Sequence, residues 1–90
     1  MKDDSVTEAL QRKYIDRRKA ELIDMEACLV RQDFSSLEFF GHKLKGNGSS
    51  FGYDELTEFG SLIEESAKEK DLEKTQVYFN QIKNFINQQF

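Results

Sequence analysis

The single histidine of this 90-residue chain, His42, stands in the run Phe39-Phe40-Gly41-His42-Lys43-Leu44-Lys45-Gly46-Asn47-Gly48-Ser49. On a helix, Lys45 and Gly46 lie one turn beyond it, Ser49 two turns beyond, and Glu38 and Phe39 one turn before. Leu37, Gly41, Leu44 and Gly48 repeat at core spacing. His42, about 100° round from Gly41, therefore projects along a different, solvent-facing stripe. A neutral imidazole nitrogen in water is a competent nucleophile near neutrality, because histidine ordinarily titrates near pH ~6.5. Lys45, and less directly Lys43, can offset the negative charge of an incoming phosphoryl group as point charges. Gly46 costs about 1 kcal/mol of helix stability relative to alanine. That cost has a reason if another protein must approach the imidazole without meeting a side chain. Phe39 and Phe40 border the stripe, and with Ser49 they form a candidate docking patch where the core does not claim them. The chemistry this pattern suits is acceptance of a phosphoryl group by His42, with the protein supplying position and charge.

Competing chemistries find less support. A metal centre needs several ligands, but there is no second histidine and only one cysteine, so no metal site is expected. A Ser-His-Asp hydrolase needs an oxyanion site on a strand-loop scaffold, and no such scaffold is visible. The glycines of Gly46-Asn47-Gly48-Ser49-Ser50-Phe51-Gly52 match neither G-x-G-x-x-G nor a G-K-[ST] ending. They read better as helix-packing positions. Cys28 reads as a small buried filler. Arg17-Arg18-Lys19 reads as a solvent face, with contact to a partner as the alternative, and Glu64, Glu65 and Glu69 read as a solvated acidic face.

The elements that must position His42 are helical throughout. The chain has no proline, and apolar/polar alternation never persists long enough for a half-buried strand. A first short helix is predicted from Ser5, where Ser5 and Glu8 can form a capping box, with Val6 and Leu10 on one side. Tyr14 and Ile15 fit either a bend or a continuous helix. A second helix covers about 15–31, with Ile15, Leu22, Met25 and Leu29 on one face. Asp33 caps a third over about 34–51, which carries His42 and ends at Gly52. Asp54 opens a fourth, with Leu56, Phe59, Gly60, Ile63 and Ala67 inward. Asp71 caps the last, whose stripe is Leu72, Phe79, Ile82 and Ile86, flanked by Tyr78 and Phe85. Connections of a few residues make neighbours antiparallel. The expected fold is all-α: an up-down-up-down four-helix bundle over 15–90, with residues 1–14 as an extra N-terminal helix or arm, in one domain.

Composition agrees with a small single domain. Apolar residues make up 38% of the chain and charged residues 33%, and the net charge is −4. Neither nucleic acid nor an anionic membrane surface is an expected partner, since no overall basic excess exists. No apolar run approaches the ~20 residues of a membrane span, and Met1 leads directly into charge. A reduced, cytoplasmic, monomeric protein is expected. Net charge runs −1 over residues 1–33, +1 over 34–52 and −4 over 53–90, so the stretch holding His42 alone has a positive balance.

His42-Lys43-Leu44-Lys45-Gly46, with small residues to Ser50 and then Phe51-Gly52-Tyr53 and Leu56, resembles the histidine-containing phosphotransfer domain of bacterial multistep phosphorelays. The resemblance continues through Leu62-Ile63-Glu64-Glu65-Ser66-Ala67 and the Asp71 helix, and reaches upstream to Ile15. It implies that His42 is the phosphorylated residue, Lys45 the helpful lysine and Gly46 the residue that gives access. Members commonly have alanine before the histidine where this chain has Gly41, which keeps close packing but softens the helix. The family carries phosphate between aspartates of receiver domains. Response-regulator receivers, and a hybrid sensor kinase, are therefore the implied partners. Mg²⁺ and the catalytic carboxylates belong to the receiver, so the resemblance implies no cofactor and no kinase activity in this chain. The alternative from another class is a non-transferring helical adaptor that binds a receiver or kinase through the same face.

Overall fold

The computed structural model describes residues 7–90, which form four α-helices and one 3-10 turn, with no strand among the described residues. They are α1 (Glu8–Arg31), α2 (Phe34–Asn47), a 3-10 turn (Ser49–Phe51), α3 (Asp54–Lys68) and α4 (Leu72–Asn87). Packing of α1 on α2, α2 on α3, α3 on α4 and α4 back on α1 closes a four-helix bundle, 39 Å along its long axis. Links of two or three residues, as at Gln32–Asp33 and Glu69–Asp71, reverse the chain between packed neighbours.

The stripes read from the spacing meet in one core. Ile15, Leu22 and Leu29 from α1 join Leu37 and Leu44, Leu56 and Ile63, and Phe79, Ile82 and Ile86. Met25, Phe59, Tyr78 and Phe85 pack at its margin. Two positions differ from the expected faces. Leu72 is exposed, and the buried residue of that first turn is Thr75, whose hydroxyl lies 2.9 Å from that of buried Ser66. Arg18, read as solvated, is buried because it falls three residues after Ile15 and four before Leu22.

The extra N-terminal helix and the helix over 15–31 are one element. No glycine or proline interrupts 8–31, and Tyr14 and Ile15 are both buried in mid-helix. The Tyr14 ring stacks 4.4 Å from that of Phe51, and its hydroxyl donates to Asn47 Oδ1 at 2.6 Å. This keeps the first turns of α1 against the end of α2. The Ser5 half of the capping box lies outside the described residues; the cap is Thr7, whose side chain accepts from the Leu10 amide. The helix ends at Gln32, whose left-handed φ of 55 carries no glycine signal.

Asp33 and Asp71 cap α2 and α4 through their side chains. The helix predicted to reach residue 51 stops being α-helical at Asn47, because Ser49 is tied to α3: its amide and hydroxyl both meet Thr57 Oγ1. The 3-10 turn then closes at Gly52, whose φ of +89 suits glycine. Asp54 is the first residue of α3 rather than its cap; Tyr53 holds that position without a side-chain bond. Asp54 and Glu55 instead place negative charge at the positive end of the helix dipole.

The pairing of α2 with α3 is the tightest in the bundle, and glycines make it so. A Cβ on Gly60 would come 2.5 Å from the Lys45 backbone nitrogen and 2.7 Å from the Gly41 oxygen. One on Gly41 would lie 2.6 Å from an Ile63 methyl. The helices therefore touch backbone to backbone one residue from His42.

Candidate functional site

His42 lies on the outer side of α2, with its side chain 64% exposed. One turn further on, Gly46 is open: nothing stands within 4 Å of where a Cβ would be. Lys45 is on the same surface and exposed. The close contact of α2 and α3 brings a third side chain to the ring. Glu64 projects from α3, four residues after Gly60, and divides its carboxylate between two partners. Oε2 is 3.0 Å from His42 Nδ1, and Oε1 accepts from Lys45 Nζ at 3.3 Å. Glu64 is no solvated acidic residue; its side chain is only 13% exposed.

Burial alone would push the Glu64 carboxyl above the usual glutamate value of 4.5, but hydrogen bonds from His42 and Lys45 outweigh it and hold it lower. A carboxylate can only accept, so the shared hydrogen belongs to Nδ1–H. The ring's lone pair then sits on Nε2, which has no hydrogen-bond partner among the described residues. The site is thus an imidazole with one nitrogen held and the other offered to solvent, beside an ammonium group that shares the same carboxylate.

The other candidates separate. Phe39 is 61% exposed and, with Ser35, Glu38, His42 and Glu64, lines a shallow depression beside the ring. Phe40 is fully buried and leaves the docking patch: three residues after Leu37 and four before Leu44, it belongs to the core stripe. Lys43 pairs with Glu21 on α1 rather than with the Glu64 carboxylate shared by His42 and Lys45. Its Nζ lies 3.4 Å from Glu21 Oε2 and 5.1 Å from the centre of the Phe39 ring, which it helps to hold. Ser49 is exposed, but its hydroxyl is engaged with Thr57. Glu64 is the residue that the sequence reading missed. The available signal was positional: Gly60 and Gly41 mark a close helix crossing, and Glu64 is one turn past the first while His42 directly follows the second.

No three His, Cys, Asp or Glu side chains among the described residues are grouped so that they could hold a metal ion. Among the same residues, no helix is long and apolar enough to cross a membrane. Comparison with curated proteins and with solved structures finds no match. The Hpt domain family matches residues 8–89, nearly the whole chain. The chain belongs to the Hpt domain family, the non-kinase phosphocarrier modules of phosphorelay signalling.

Proposed function

We propose that His42 is the phosphoryl carrier of this domain, taking the group from a receiver-domain aspartyl phosphate and passing it to another receiver. The observation that carries this reading is the paired environment of one ring, Nδ1 on Glu64 and Nε2 open to solvent. In the forward step the Nε2 lone pair forms the N–P bond. The P–O bond to the donor aspartate breaks, and the carboxylate leaves with its electron pair. No proton has to move, because Nδ1 already carries the ring's hydrogen. The phosphorylated ring becomes cationic, and the Glu64 carboxylate beside it offsets that charge. Reversal of the same step onto a second receiver completes the transfer. Lys45 faces the incoming oxygens as a point charge, and Lys43 is reserved for the Phe39 edge of the docking face. The Mg²⁺ that such transfer needs is expected in the receiver.

Incubation with a receiver labelled on its aspartate tests the reading. The protein should acquire an acid-labile, base-stable phosphate that an unlabelled second receiver then removes. Binding of the receiver without any transfer would favour an adaptor instead.

Two substitutions separate the parts of the site. Lys45→Ala should slow transfer about tenfold, as loss of roughly 1.4 kcal/mol of charge stabilisation in the transition state, with the melting curve nearly unchanged. Gly46→Ala should act in opposite directions on two readouts. No neighbour obstructs the added methyl, so the helix should gain about 0.5–1 kcal/mol. Transfer should nevertheless slow, because the methyl stands where the receiver approaches. A more stable domain with undiminished transfer would show that Gly46 gives no access.

A further inference from the structure

Away from His42, the first turns of α1 and the end of α2 enclose an open trough of about 310 Å³. Its apolar wall is Leu10, Tyr14 and Phe51, and its rim carries Lys13, Arg17 and Arg18. The wall is preorganised. Tyr14 and Phe51 stack, the Tyr14 hydroxyl is fixed on Asn47, and Gln11 Nε2 donates to the Phe51 carbonyl at 2.9 Å. The rim holds more positive charge than the protein uses. Lys13 and Arg17 are exposed and make no ion pair among the described residues.

Arg18 is the telling member. Its side chain is 9% exposed, and its guanidinium lies over the Tyr14 ring at 4.6 Å. Its Nε is 2.9 Å from Glu21 Oε1 without hydrogen-bonding geometry, while its Nη2 donates to Glu21 Oε2 at 3.3 Å. Glu21 is shared by Arg18 and Lys43, so Lys13 and Arg17 are the cations left to a ligand, on a chain whose net charge is −4.

We infer that this trough binds an acidic, extended peptide segment in which carboxylates flank an apolar side chain. Its shape favours a chain over a compact ligand. From Leu10 to Arg18 it runs two turns of α1, about 12 Å, the span of about four extended residues. Lys13 and Arg17 are ~6 Å apart along the helix axis, matching the ~6.6 Å between alternate residues of an extended strand. A Glu-Leu-Glu segment therefore sets both carboxylates against the rim, while the leucine meets Leu10 and Phe51. None of the residues lining the trough belongs to the His42 site, so this inference is independent of the phosphoryl-carrier reading.

The test is titration of the ¹⁵N-labelled protein with the capped peptide Glu-Leu-Glu-Phe. Saturable amide shifts should map to residues 10–18, Asn47 and Phe51. Lys13→Gln with Arg17→Gln, both surface positions, should weaken binding at least about tenfold. That variant should keep its melting curve and its labelling by a phosphorylated receiver. The inference is overturned if no saturable shifts occur, if they fall on Phe39 and His42 instead, or if the double variant binds as well. It is equally overturned if Gln-Leu-Gln-Phe or inorganic phosphate produces the same shifts at the same concentration.

Discussion

His42→Gln should give a domain that folds and melts like the parent and accepts no phosphoryl group at all. The folding half of this expectation follows from exposure: the ring contributes nothing to the core, and its one side-chain bond among the described residues, to Glu64, is at the surface edge. Glutamine can still donate an N–H to that carboxylate. The transfer half follows from chemistry, because an amide nitrogen has no available lone pair to attack phosphorus. No second group waits to take over, since Cys28 is buried and there is no other imidazole. Intact protein mass under alkaline conditions, before and after exposure to a phosphorylated receiver, reads the result directly. Phosphate that persists on the variant would place the acceptor elsewhere.

Gly60→Val should be the most damaging single change to the fold that touches no functional group. Its new Cβ would meet the Lys45 backbone nitrogen at 2.5 Å and the Gly41 carbonyl at 2.7 Å. Neither is a flexible side chain that can swing aside, so α2 and α3 must separate. Overpacking of this kind costs about 3 kcal/mol, which for a domain of this size lowers Tm by about 12–24 °C. The two helices carry His42 and Glu64 respectively, so separation should also loosen the Nδ1 bond and slow transfer in the fraction that remains folded. Thermal unfolding followed by circular dichroism gives the first quantity, and receiver labelling well below the transition gives the second. A melting point within a few degrees of the parent would show that the crossing is not as tight as the backbone contact requires.

Much of the architecture was legible because periodicity and caps are local. Leu37 and Leu44 mark the inner face of α2, Asp33 and Asp71 begin their helices, and Gly52 ends a segment, each through chemistry contained within one turn. The outward stripe of His42, Lys45 and Gly46 follows from the same arithmetic. Phe40 and Arg18 were also within reach of that arithmetic. Both occupy core-spaced positions, and residue type, aromatic next to a docking face or cation in a basic run, drew attention from spacing. At Tyr14 the spacing fits a bend or a continuous helix alike, and local pattern does not decide between them. Continuity depends on partners, Asn47 and Phe51, more than thirty residues away. Glu64 is the most instructive case. Alone on α3 it resembles any surface glutamate, and it meets His42 only because two glycines bring the helices close together. Local pattern thus located the proposed nucleophile, and tertiary packing supplied the carboxylate beside it.

The most direct measurement is nitrogen NMR of the histidine-labelled domain after it has been phosphorylated by a receiver. Phosphorus coupling should appear on Nε2 of His42, while Nδ1 keeps its proton and its link to Glu64. Phosphorus on Nδ1, or on any atom outside this ring, would contradict the account.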